Sequence, residues 1–116
     1  MRYLLLIYLE PAYLAPGDEV ARAMNEEYRG YSSWLQEGGM LLGGEALQGV
    51  ANATSVAVRD GRRIVTDGPF AETKEQLAGF YVLDCKDLDE AIEWAAKIPG
   101  AHSGCVEVRP VIQYEG

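Results

Sequence analysis

Histidine is nearly absent from this chain: His102 is the only one in 116 residues. A multi-histidine metal centre within one chain is therefore excluded, and a zinc site is hard to assemble. Cysteine is almost as scarce. Cys85 and Cys105 lie far apart, outside any C-x-x-C spacing, and read as small reduced core residues in strand-like runs rather than a disulfide or metal pair. Basic residues are few, 10 against 18 acidic, giving a formal net charge of −8. That balance lacks the clustered Lys and Arg that a phosphate backbone demands, so no nucleic-acid partner is expected. Long apolar runs are missing too. The segment after Met1-Arg2 is too short to cross a bilayer and lacks a small-residue cleavage site, so the expectation is a cytoplasmic protein with no membrane partner. Gly38-Gly39 and Gly43-Gly44 match neither G-x-G-x-x-G nor the P-loop spacing. Ser32-Ser33 have no local histidine, and no G-x-S-x-G elbow exists. The expectation is a protein with no cofactor and no metal.

What is present describes one domain over residues 1–116, with 48% apolar residues and room for a modest core. Tyr3 to Leu9 is apolar on both alternating faces, so this strand must be covered on both sides. Pro11 and Pro16-Gly17 mark a loop. From Asp18, a plausible N-cap, to about Glu37 the stripe Val20, Met24, Tyr28, Tyr31 and Leu35 is helical, with Glu19, Glu26 and Glu27 on the solvent side. Gly38-Gly39 stops it. Met40 to Leu47 reads as a strand loosened by Gly43-Gly44. Thr54 to Arg59 and Arg62 to Thr66 flank Asp60-Gly61, a strong hairpin signal that pairs Val56 with Val65 and Ala57 with Ile64. Leu77 to Asp84 is a further strand. Asp87 to Ile98 is a second helix with Leu88, Ala91, Ile92, Ala95 and Ile98 as its buried stripe and Asp87 with Glu90 as a capping box. Val106 to Gln113 closes the chain as a strand.

Setting the hairpin aside leaves βαββαβ: an α+β, ferredoxin-like arrangement with an inserted β-hairpin, both helices on one sheet face. The first strand is apolar on its other face as well. A bare apolar sheet is unusual in a soluble monomer, so a homodimer is expected, in a dimeric α/β-barrel-like assembly.

Several separated motifs carry a resemblance. They are Arg2-Tyr3-Leu4-Leu5-Leu6-Ile7-Tyr8, Gly43-Gly44-Glu45-Ala46-Leu47, Thr66-Asp67-Gly68-Pro69-Phe70-Ala71-Glu72-Thr73-Lys74-Glu75, Gly79-Phe80-Tyr81 and Val106-Glu107-Val108-Arg109-Pro110. In this order they resemble the YCII-related proteins, specifically the Asp-Gly-Pro-Phe (DGPF) branch. The resemblance implies a ferredoxin-like fold, dimerisation through sheet-to-sheet packing and a cleft near the subunit junction. It implies no established reaction. The wider superfamily is suspected of enzymatic activity through a histidine–aspartate pair, and this chain has no histidine before residue 102 to supply its first half. Genes of the branch often neighbour those for extracytoplasmic-function sigma factors, which implies a regulatory or stress setting.

Asp67 leads the candidates for chemistry. It reads either as a carboxylate at the rim of an apolar cleft, its pKa raised by desolvation for proton transfer, or as an Asx-type hydrogen-bonding group that shapes the Gly68-Pro69 corner. Glu45, after two glycines, reads as a second acid–base carboxylate partnered by Lys74 or Arg109, or as an exposed edge glutamate. Lys74 and Glu75 follow Thr73, which could cap one helical turn. They offer anion binding and acid–base work respectively, or simply a solvated loop. Arg109 can clamp a substrate carboxylate or serve in an ion pair. Tyr8, Tyr28 and Tyr31 read as core with one hydroxyl free to reach a cleft, Phe70 as a substrate contact, and His102 as an exposed loop residue.

Two functions fit these residues. The first is a small cofactor-independent acid–base enzyme of isomerase or lyase type, in which Asp67, Glu45 and Glu75 act on a small polar or aromatic substrate. Lys74, Arg109, Tyr8 and Phe70 would hold that substrate in a cleft at the dimer interface. The second is a non-catalytic module that binds a small molecule or a protein.

Overall fold

The computed structural model describes residues 1–10, 18–71 and 73–114, with side chains of the first helix described from residue 22. The expected loop at Pro11 and Pro16-Gly17, the Asp18 cap, the Glu19 and Val20 positions and Glu72 lie outside the described residues or side chains.

The elements are β1 (Arg2–Leu9), α1 (Asp18–Glu37), β2 (Leu41–Ala46), β3 (Thr54–Arg59), β4 (Arg62–Asp67), β5 (Gln76–Asp84), α2 (Leu88–Ala96) and β6 (Cys105–Pro110). Short 3-10 turns lie at Val50–Asn52 and Pro99–His102. Four strands form an antiparallel sheet in the order β2-β5-β1-β6, and β3 and β4 form a separate two-stranded sheet. With the hairpin set aside, this is the split-βαβ order of a ferredoxin-like α+β fold.

Alternation along β1 decides where the core sits. Tyr3, Leu5, Ile7 and Leu9 are buried in one cluster with Tyr31 and Leu35 of α1 and Ala91, Ala95 and Ile98 near α2, so both helices cover the same face. Leu4, Leu6 and Tyr8 point the opposite way and are half-buried. Pro110, which donates no hydrogen bond, stands on the edge strand β6 opposite Tyr3.

Helix α1 ends where the glycines require. Gly39 adopts φ +72°, and Met40 N donates to Leu35 O at 3.1 Å while Gly39 N donates to Gln36 O at 3.0 Å, a Schellman ending. In α2 the Asp87 carboxylate accepts from Glu90 N at 2.9 Å, whereas Glu90 reaches back to Lys86 N rather than to Asp87 N. The hairpin register is the expected one, Val56 opposite Val65 and Ala57 opposite Ile64, with Asp60 and Gly61 both at positive φ.

Several expectations need correction. Leu88 and Ile92 are exposed, because α2 tilts only Ala91, Ala95 and the following Ile98 into the core. Cys85 is buried, but Cys105 is exposed at the start of the edge strand. The last strand stops at Pro110, so Val111 to Gln113 are not strand. Tyr8 is not core: it sits on the face that the helices leave open.

The hairpin stands away from the body. The radius of gyration is 16.1 Å, above the roughly 13 Å of a compact chain near this length, and the long extents are 47 and 46 Å against 19 Å.

Candidate functional site

Between α1 and the β2–β5 side of the sheet lies a hollow of about 480 Å³. Two small residues open it. Gly44 and Gly79 lie on the helix-facing side of β2 and β5, paired with Tyr81 and Ala46 respectively. A Cβ on Gly44 would stand 2.7 Å from Phe80 O, and one on Gly79 would stand 2.8 Å from Glu45 O, so neither strand tolerates a side chain there. Above this floor Met24, Tyr28 and Ser32 line the wall supplied by α1, their spacing of four placing them on one helix stripe. Ile7 and Leu9 of β1 also line it.

The polar side chains that α1 and β5 bring to the lining of the hollow are the hydroxyls of Tyr28, Ser32 and Tyr81 and the amide of Asn25. Ser32 Oγ and Tyr81 Oη are 3.0 Å apart and hydrogen-bonded. Tyr81 packs edge-on against Tyr31 with ring centroids 5.2 Å apart, and Tyr31 donates to Trp94 O at 2.9 Å. Burial pushes the phenols of Tyr28, Tyr31 and Tyr81 above the usual range. For Tyr81 the Ser32 hydrogen bond opposes that shift, and for Tyr28 contact with the Gly100 backbone does the same. All three are neutral at ordinary pH; Tyr28 and Tyr81, which line the hollow, are fit to donate or accept a hydrogen bond to a ligand, whereas the Tyr31 hydroxyl is committed to Trp94 O.

The sequence candidates fall elsewhere. Glu45 borders the hollow, but strand alternation sends its side chain to the opposite, open face. There it forms a cross-strand row with Phe80, Leu6 and Glu107. The next row holds Gly43, Val82, Leu4 and Arg109, and Tyr8 lies on the same face. Glu45, Arg109 and Tyr8 therefore share one side of the sheet. Neither expected partner of Glu45 serves it. Arg109 Nε lies 2.6 Å from Glu107 Oε2, a charge contact whose angle is too poor for a hydrogen bond. Lys74 Nζ lies 3.6 Å from Glu10 Oε1.

Asp67 ends β4 opposite Thr54 and is exposed, rather than set at an apolar rim. Its carboxylate makes no hydrogen bond among the described residues. The corner is held instead by Gly68 N donating to Ala53 O at 2.8 Å and Ser55 Oγ donating to Gly68 O at 2.7 Å, with Gly68 at φ +99°. Phe70 is 95% exposed. Residues 73–75 form no helical turn. Thr73 Oγ1 bonds to Glu75 O instead, and Glu75 is half-buried with Oε2 shielded and unpartnered. His102 is exposed. Among the described residues no group of three or more His, Cys, Asp or Glu could hold a metal ion, and no helix is long and apolar enough to cross a membrane.

The hollow itself was missed. Ser32 and Tyr81 are 49 residues apart in sequence, and only the Gly44 and Gly79 gaps hint at space between their elements.

The YCII-related domain matches residues 1–115. The chain belongs to the YCII-related family. A relative from Rhizobium meliloti (strain 1021), itself an uncharacterised protein, is 54% identical over 57 residues. That match spans 47% of this chain and 46% of the relative, so the chain spans about half the length of the curated relative it matches. Among solved structures it is similar to TftG from Burkholderia phenoliruptrix, a 5-chloro-2-hydroxyhydroquinone dehydrochlorinase solved with 2,5-dihydroxybenzoquinone. The TM-score is 0.56 over 98% of this chain and 96% of that one, at 13% identity, a likeness of fold.

Proposed function

We propose that this YCII-related protein, of the DGPF branch by its Thr66–Glu75 motif, binds a small hydroxylated aromatic molecule in the hollow beneath α1. The observation that carries this reading is the hydrogen-bonded Ser32–Tyr81 pair lining a mainly apolar space of about 480 Å³, with Asn25 and Tyr28 as its further polar neighbours on α1. That volume suits a single substituted ring, and the pair offers a hydroxyl for each of donation and acceptance. TftG, of like fold, was solved with a dihydroxybenzoquinone, which supports the same ligand class.

A thermal-shift panel of hydroquinones, catechols and hydroxybenzoates tests it on wild type and Ser32→Leu, which fills the wall and removes the hydroxyl. Stabilisation of wild type alone supports the hollow as the site. Equal stabilisation of both proteins, or of neither, removes it.

A second reading rests on a different observation: Glu45, Arg109 and Tyr8 share the open sheet face. Two copies joined through that face, whose Leu4, Leu6, Phe80 and Val82 are only half-buried, would enclose these groups in a seam. There Glu45 is the general base of a cofactor-independent isomerase or lyase, and Arg109 holds a substrate anion. Asp67 and Glu75, with Lys74 and Phe70, join the seam only if the hairpin region folds toward the second copy. Loss of ligand response in Glu45→Gln and Asp67→Ala, with Ser32→Leu unaffected, favours this reading over the first.

A further inference from the structure

The β3–β4 hairpin plays no part in ligand binding in the hollow, and it is built unlike the rest of the chain. An isolated two-stranded hairpin is marginally stable in water. This one leaves Val56, Val58 and Val65 on one face about 60% exposed, between 57% and 61%. The register places Val56 opposite Val65 and Val58 opposite Arg63, so three valines and an arginine form a continuous stripe. Around the Asp60-Gly61 turn the tip carries a basic excess, with Arg63 on the valine face and Arg59 paired with Arg62 on the opposite face. Arg59, Arg62 and Arg63 supply three of the ten Lys and Arg in a chain of net charge −8, so most of the molecule repels acid and attracts this tip.

A matching stripe exists on α2. Leu88 and Ile92, one helical turn apart, are 48% and 49% exposed, and Asp89 and Glu93 run alongside them, also exposed. Apolar faces apolar, and base faces acid. Six-residue strands extend roughly 20 Å, about the depth of one sheet layer plus one helix layer.

We propose that the hairpin is an arm that docks on α2 of a second copy of this chain, with the valine stripe against Leu88 and Ile92 and the arginine tip against Asp89 and Glu93. A second copy is the occupant because its acidic excess is the electrostatic complement of the tip. The contact is separate from the open sheet face and stands or falls without it.

Sedimentation velocity across micromolar concentrations tests the arm with surface charge reversals that leave the core untouched. The double variant Arg62→Glu/Arg63→Glu is expected to weaken self-association by about tenfold or more, and Asp89→Lys/Glu93→Lys to do the same. Combining all four changes restores the opposite-sign pairing and should recover the wild-type constant. A wild type that stays monomeric overturns the proposal. So does an arm variant that associates as tightly as wild type, or a four-fold variant that gains nothing over the doubles. Leu6→Glu on the open sheet face separates the two contacts: if it abolishes association while the arm variants leave it intact, the sheet dimer survives and the arm docking is refuted.

Discussion

Ser32 on α1 and Tyr81 on β5 share a 3.0 Å hydrogen bond, and it ties the helix to the sheet at the hollow both residues line. The bond is part-buried, so its loss leaves a hydroxyl with a reduced claim on water. Tyr81→Phe keeps the ring and its edge-on contact with Tyr31 while removing only that bond. The expected cost is about 1 kcal/mol, a fall of about 4 °C in Tm for a chain of this length. Ser32→Ala should cost a similar amount, and the double variant should cost little more than either single change. A thermal-melt double-mutant cycle reads this directly; strictly additive losses would show that the two hydroxyls do not depend on one another.

Gly43 and Gly44 are neighbours in sequence with opposite expectations. Nothing lies within 4 Å of a Cβ built on Gly43, whereas on Gly44 it meets Phe80 O at 2.7 Å and Tyr81 Cα at 3.3 Å. The obstructing atoms are backbone and cannot rotate aside. Gly44→Ala should therefore destabilise by about 1–3 kcal/mol, and Gly43→Ala should stay within about 0.5 kcal/mol of wild type, by urea unfolding. Ligand binding in the hollow should weaken only in the Gly44 variant, because β2 must move outward to relieve the clash.

Thiol chemistry separates the two cysteines. Cys105 is exposed, whereas Cys85 is buried beside the core and its thiol is pushed up by burial, with the nearby carboxylates of Glu90 and Asp84 adding to the shift. A thiol reagent at neutral pH should modify one equivalent rapidly in the native protein and the second only on unfolding. Cys105→Ser should abolish the fast phase. Two equally fast equivalents would place Cys85 outside the core.

Local chemistry made much of the fold legible in the sequence. Asp60-Gly61 specified the hairpin register because both positions need positive φ, and Asp87 specified the start of α2 because its carboxylate has an orphan amide to satisfy at Glu90. The two-faced β1 strand correctly implied one face under helices. What escaped depends on distant pairings. A helical stripe containing Leu88 does not reveal how α2 is rolled on the sheet, so its exposure is a tertiary fact. Glu45 looked like a cleft carboxylate because glycines precede it. Of the two, Gly44 makes room on the face that the Glu45 side chain does not occupy, since Gly44 and Glu45 alternate, whereas Gly43 shares the open face with Glu45. The Asp67-Gly68-Pro69 motif points to Asp67 as the residue that shapes the corner, yet the corner is built by Gly68 and Ser55.

The buried phenols set the alkaline limit of the fold. Tyr28, Tyr31 and Tyr81 have native pKa values raised above the usual 10, chiefly by burial, while in the unfolded chain they return to it. Between the unfolded and native values the folded state holds more protons than the unfolded one, so stability falls as pH rises. Their contribution is complete below about pH 10 and is lost progressively above it. Phenolate absorbance should show these three of the seven tyrosines ionising together with loss of structure rather than before it. Tyr31, raised furthest, is the steepest contributor, and it donates to Trp94 O as a neutral hydroxyl. Tyr31→Phe should therefore cost about 1 kcal/mol at neutral pH through the lost hydrogen bond, yet flatten the alkaline decline. An unchanged decline in that variant would assign the alkaline limit to other groups.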